Sequence, residues 1–163
     1  ILVVLVIIGL MVAGAVLTLG SLGRDRSLEQ ESKRLEALFV YAREQAELQT
    51  REYGLLVLPQ GYEFMLFDLR QNAWRSATGD DILRKRELPA GLVPELMVDG
   101  RQVLLRQSAD TTAPAPQILL YSSGDLSSFE LRLRRTGMDG AALLRSGSQG
   151  GIELTLQEAA GRP

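Results

Sequence analysis

The stretch Leu28–Phe67, LEQESKRLEALFVYAREQAELQTREYGLLVLPQGYEFMLF, changes its hydrophobic period once, and that change sets the fold class. In its first half Leu28, Leu35, Leu38, Phe39, Ala42 and Ala46 recur at spacings of three, four and seven. That is one apolar face of an amphipathic helix. The opposite face carries Glu29, Lys33, Arg34, Glu36, Arg43, Glu44 and Glu47. Neither Pro nor Gly occurs between Arg24 and Arg51, so Gly54 is the expected stop. Beyond Gly54 the period falls to two. Leu55–Leu58, the turn Pro59-Gln60-Gly61, the run Tyr62–Phe67 and the short piece Ala73-Trp74 read as antiparallel hairpins.

Upstream of the helix, no residue from Ile1 to Gly23 is charged, and only Thr18 and Ser21 are polar. As a helix, 23 residues span roughly 34 Å, against roughly 30 Å of bilayer hydrocarbon. A buried core helix would show a polar stripe, and a signal-peptide core is shorter and preceded by basic residues. The expectation is a membrane-spanning segment continuous with the amphipathic helix, one rod from Ile1 to about Glu52. Gly9 with Ala13, and Gly14 with Thr18, are small-residue pairs that let helices approach closely. Arg24 and Arg26 after the apolar run weakly favour a cytoplasmic C-terminus.

Downstream, Leu92–Val98 and Gln102–Arg106 bracket the turn Asp99-Gly100 as a further hairpin. Ile82–Leu88 is mixed and charged, and Ser108–Pro116 reads as a mobile loop. Ile118–Tyr121 is a strand, closed by the turn Ser122-Ser123-Gly124-Asp125. Phe129–Arg134 and Ile152–Leu156 alternate cleanly, whereas Gly137–Gly151 reads as loop with a short apolar break at Ala141–Leu144, and Glu158–Pro163 as a frayed end. The expected fold class is therefore α+β. One long N-terminal helix, transmembrane in its first half, packs its second half on an antiparallel β-sheet domain of about seven short strands. The segments are 1–23 for the membrane, 24–52 for the amphipathic continuation and 53–163 for the β-rich domain.

Composition narrows the chemistry. The 163 residues carry 18 basic and 20 acidic side chains, no cysteine and no histidine. Disulfides, Cys/His zinc sites, cysteine nucleophiles and imidazole bases are excluded. The serines near 122–128 lack a nucleophile elbow and read as turn chemistry. Asp68, Asp80 and Asp81 lack calcium-loop spacing and read as solvated acids. Tyr62 and Trp74 read as packing residues. Arg132, Arg134 and Arg135, with Arg101 and Arg106 nearby, are a candidate basic stripe for a subunit contact or nucleic acid, although the near-neutral charge does not favour nucleic acid. No enzymatic role, cofactor or metal is expected.

The opening run Ile1–Gly9 resembles the membrane stretch of type IV pilins and type II secretion pseudopilins. Gly54-Leu55-Leu56-Val57, Gly61-Tyr62-Glu63-Phe64, Ala73-Trp74-Arg75, Arg86–Gly91 and above all Pro116-Gln117-Ile118 through Ser123-Gly124-Asp125 to Phe129-Glu130-Leu131 resemble the H-class minor pseudopilins. The resemblance implies a pilin-like fold and a structural subunit near the tip of a type II secretion pseudopilus. It implies processing and N-methylation by a prepilin peptidase. Its expected setting is the bacterial inner membrane, single-pass, with the globular domain in the periplasm. The implied partners are the lipid bilayer, the other minor pseudopilins, the major pseudopilin and the inner-membrane assembly platform. Ile1, Leu2, Val4, Leu5, Ile8, Gly9, Val12, Ala13 and Val16 are expected to serve membrane and filament packing. Leu28, Leu35, Leu38, Phe39 and Ala42 are expected to join helix to sheet. The alternative is a minor type IV pilin binding DNA through its arginines.

Overall fold

The computed structural model describes residues 25–106, 114–147 and 150–157. The expected membrane segment with all its packing residues, the C-terminal fraying and residues 108–113 of the loop expected at 108–116 lie outside the described residues. Among the described residues no helix is long and apolar enough to cross a membrane.

Helix α1 runs Arg26–Gln49. Asp25 caps it: its backbone is extended, and its carboxylate accepts from Ser27 N and Leu28 N at 3.1 and 3.2 Å. The described helix therefore begins at Arg26, and the rod expected upstream of it lies outside the described residues. The helix ends earlier than Gly54. Thr50 adopts the left-handed conformation (φ 50°), Thr50 N donates to Glu47 O, and Arg51 N donates to Ala46 O. Those two bonds close the last turn in the manner usually built on glycine.

Ten strands follow among the described residues, in two antiparallel sheets rather than one. The first sheet has the order β3–β2–β1–β7, from Ala73–Ser76, Gly61–Asp68, Tyr53–Leu58 and Ile118–Leu120, with the short β4 (Arg86–Glu87) beside the start of β2. The second has the order β10–β9–β8–β5–β6, from Ile152–Gln157, Ala141–Ser146, Phe129–Arg135, Leu92–Val98 and Arg101–Val103. Asp99 and Gly100 both have positive φ in the β5–β6 turn, the twist a two-residue hairpin needs.

Strand β9 corrects the loop expected between Gly137 and Gly151. Ala141–Leu144 does not alternate, yet β9 pairs with both β8 and β10 and touches α1. Ala142 is fully buried in a cluster with Leu28, Leu92 and Leu133. Small side chains leave room there for the helix, and burial outweighs alanine's weak strand preference.

The core lies between α1 and both sheets. Leu35, Leu38, Phe39, Ala42 and Ala46 meet Leu55, Val57, Tyr62 and Phe64 of the first sheet and Leu96, Phe129, Leu131 and Leu144 of the second. Phe39 is the pivot. It meets Phe64 edge-on at 5.8 Å and stacks on Phe129 at 5.2 Å, so one helical ring bridges the two sheets. A second small cluster, Leu56, Leu58 and Met65 with Trp74 against it, lies on the other face of the first sheet.

Candidate functional site

No group of three acidic residues stands close enough to hold a metal among the described residues. The features that bear on function are the two ends of α1, its one buried acid and the solvent face of the second sheet.

At the helix start, Asp25 also forms a two-point ion pair with Arg135 at the end of β8: Nε meets Oδ2, and Nη2 meets Oδ1 at 3.1 Å. Arg135 Nη1 donates to Ala90 O at 2.9 Å. The Arg135 hydrogen bond, helped by the two backbone donors, holds the Asp25 carboxyl below its usual range despite partial burial. Arg135 thus leaves the expected stripe and faces the helix instead.

Nearly two turns on, Glu31 is 2% exposed. It accepts from the Tyr62 hydroxyl at 2.7 Å and from Arg34 Nη1 at 2.6 Å. Burial, then the hydrogen bond to Glu31, pushes the Tyr62 phenol well above its ordinary value. The sequence does carry the signal for Glu31: it lies three residues after Leu28 and four before Leu35, on the apolar stripe. Tyr62 is therefore more than a packing ring, because it satisfies a buried charge.

At the far end, the Tyr41 hydroxyl donates to Asp80 at 2.8 Å and Ser122 Oγ donates to Glu52 at 3.0 Å. Gly124 has φ +87°, and a Cβ there would lie 2.8 Å from Glu47 Cδ, so the β7–β8 turn needs glycine against the helix end. Asp68 caps Arg70 and Gln71 and pairs with Arg75, which occupies that acid within its own turn. The Pro116-Gln117-Ile118 string acquires a physical role. Strand β7 stops at Ile118, and the Gln117 amide continues the ladder with its side chain, accepting from Val57 N at 2.7 Å and donating to Val57 O at 3.1 Å. Pro116 lies over Gly54, where a Cβ would come within 2.6 Å of the ring.

The solvent face of the second sheet corrects the basic stripe. The registers β10–β9–β8–β5 place Arg132, Arg134 and Arg145 among Glu95, Glu130 and Glu153. Arg134 Nε donates to Glu95 at 2.9 Å, and Arg145 pairs with Glu153 at 2.7 Å. Three arginines and three glutamates make a balanced mosaic. Cross-strand pairing of opposite charges explains it, and it gives polyanions no continuous positive track.

The leucines and ring expected to join helix to sheet all lie on the buried side of α1: Leu35, Leu38, Phe39 and Ala42 in the main core, and Leu28 in the smaller cluster beside Arg135's strand.

Comparison with known proteins gives this architecture a context. At 33% identity over 165 residues, covering 98% of this chain and 92% of the relative, it is similar to the type II secretion system protein H of Pseudomonas aeruginosa. It is 27% identical to the type II secretion system protein H of Aeromonas hydrophila, over 85% of this chain and 79% of that one. The fold is similar to the minor pseudopilin EpsH of the Vibrio cholerae type 2 secretion system (TM-score 0.65, 18% identity, 83% of this chain and 99% of that one). It is also similar to Escherichia coli GspH in solution (TM-score 0.60, 17% identity, 84% and 92%). The family model for type II transport protein GspH matches residues 31–159, from the buried glutamate to just past β10, and the chain belongs to that family.

Proposed function

We propose that this protein is a non-enzymatic minor subunit of a type II secretion pseudopilus, placed near its tip and supporting export of folded proteins across the outer membrane. Its membership of the GspH family is the observation that carries the reading. The geometry is consistent with it: the described residues pack two sheets on the apolar face of an amphipathic helix, and the uncharged stretch Ile1–Gly23 precedes that helix in the chain.

In this reading the uncharged stretch lies in the inner membrane before assembly and among neighbouring subunits' helices afterwards. Apolar side chains are compatible with both, and the small residues Gly9, Ala13 and Gly14 suit close helix contacts. The domain sits in the periplasm. A prepilin peptidase processes the chain, the assembly platform takes it up, and its neighbours are the other minor pseudopilins and the major pseudopilin. No cofactor takes part.

The test is complementation of a strain lacking its H-class pseudopilin. The intact chain restores exoprotein in the medium and co-purifies from membranes with the other minor pseudopilins. An intact protein found free in the aqueous fraction, with no secretion restored and no pseudopilin captured, refutes the proposal.

A further inference from the structure

We propose that the open edge of β10 adds an extended strand from a neighbouring pseudopilin, a partner that rests on the function proposed above. Gly147 N donates to Gly151 O at 2.7 Å and sets the phase of the β9–β10 ladder. In an antiparallel pair only every second pair of residues exchanges main-chain bonds. The bonded pairs are therefore Arg145 with Glu153, Leu143 with Thr155 and Ala141 with Gln157. Ile152, Leu154 and Leu156 turn their N–H and C=O groups the other way, to the outer edge of the second sheet. Asp99 N, donating to Ser128 O at 3.1 Å, gives the same phase when carried across β8 and β9. Among the described residues no backbone group bonds to those three rungs.

The other long edges are covered or short. Residues 125–127 line β7, through Tyr121 N to Asp125 O, Ser127 N to Leu119 O and the bridge between Leu120 and Leu126. Strands β3 and β6 have four and three residues, and each includes an arginine. Strand β10 has six residues with no Lys, Arg or Pro, and its register with β9 is unbroken by a bulge. Its one charge, Glu153, is held by Arg145 at 2.7 Å. The devices that keep sheet edges from pairing are therefore missing from β10. Alternating donors and acceptors along an edge are answered by an extended backbone, so the occupant is a strand. Its residues opposite the three rungs lie beside Leu156, which is 41% exposed, and are apolar; those opposite Glu153 and Thr155 are polar. A second copy of this chain fits less well. Pairing all three rungs centres β10 on its own Leu154 and makes the two Glu153 side chains diagonal neighbours on one face, about 7–8 Å apart. A neighbour with a neutral or basic residue there avoids that repulsion.

Photo-crosslinking tests the edge in the full chain, in membranes of a strain that lacks its own H-class pseudopilin and keeps the others. Benzoylphenylalanine replaces exposed Thr155 on β10 or, as a control edge, exposed Gln102 on β6. Leu156→Pro removes one outward N–H and leaves the β9 ladder whole. Leu156→Lys sets a charge beside the incoming strand, and Leu156→Ala keeps the rung. The probe at 155 should crosslink to another pseudopilin, identified by immunoblot. Leu156→Pro and Leu156→Lys should each lower that yield at least fivefold, and Leu156→Ala less than twofold. If Leu156→Pro does not accumulate, Leu156→Lys carries the comparison, since it leaves the backbone untouched. Parent-level yield in Leu156→Lys, an equal loss in Leu156→Ala, capture of a second copy alone, or crosslinks from position 102 in place of 155 each overturn the strand addition. Any of these in a strain whose secretion the parent chain restores leaves the proposed function standing. A parent chain that neither restores secretion nor captures a pseudopilin overturns both.

Discussion

Thr50→Gly and Gly54→Ala should move the unfolding transition in opposite directions, the first up and the second down. Thr50 sits at φ 50°, ψ 50°, where a β-branched residue is strained. The left-handed conformation costs a residue with a Cβ about 1–2 kcal/mol. Glycine removes that cost but loses about 0.5–1 kcal/mol of extra chain entropy. The net gain for Thr50→Gly is roughly 0–1.5 kcal/mol. Gly54 is a strand residue paired with Met65 and Leu119, and it has no left-handed backbone. Its constraint is contact: a Cβ there would stand 2.6 Å from Pro116 Cβ and 3.1 Å from Ile118 O. Carbon atoms rest at about 3.5–4.0 Å, so the overlap is about 1 Å. Pro116 cannot easily withdraw, because Gln117 is bonded to Val57 and Ile118 is fully buried. Overpacking of this kind costs about 1–3 kcal/mol.

For a domain of this size each kcal/mol moves the midpoint by about 2–4 °C. Thermal unfolding of the domain from Asp25 onward, followed by far-ultraviolet circular dichroism, resolves both shifts. The cycle with Pro116→Gly is decisive, since removing the ring should recover most of the loss in Gly54→Ala. If Gly54→Ala loses nothing, or loses the same with and without Pro116, the contact argument fails. If Thr50→Gly lowers the midpoint, the placement of the helix end fails.

Three other substitutions probe the polar contacts of the core. Gln117→Leu should cost about 2–4 kcal/mol in chemical denaturation, because it strands both the N–H and the C=O of buried Val57. Tyr62→Phe should cost about 1.5–3 kcal/mol by leaving buried Glu31 with Arg34 alone, and more than Tyr41→Phe, whose partner Asp80 is only half-buried; equal costs would contradict the burial argument. The folded Asp25 carboxyl titrates below its ordinary range, chiefly through the Arg135 hydrogen bond, so its contribution to stability is present above the unfolded carboxyl's pKa and fades as pH falls through the folded one. Arg135→Gln should therefore lower stability at pH 6 more than at pH 3, measured by denaturant midpoints at each pH.

Local periodicity and turn chemistry write much of this fold into short stretches of the chain. The spacing of Leu28, Leu35, Leu38, Phe39, Ala42 and Ala46 is the spacing of α1's buried face, because a helix repeats every 3.6 residues whatever it packs on. Asp99-Gly100 marks its hairpin because few residue pairs accept two positive φ values. Clean alternation in Phe129–Arg134 marks β8 because only one of its faces is buried. The segments that mislead are those whose conformation is decided by a distant partner. Ala141–Leu144 is a strand only because β8 and β10 flank it and α1 needs room above Ala142. Gly54 is glycine because of Pro116, far along the chain, and not because a helix ends there. Arg132, Arg134 and Arg135 look like one charge run, but Glu95 claims Arg134 and Asp25 claims Arg135. A sequence read in short windows carries the geometry of single elements, whereas strand order, charge pairing and steric exclusion depend on which elements meet, and that is set only when the chain closes on itself.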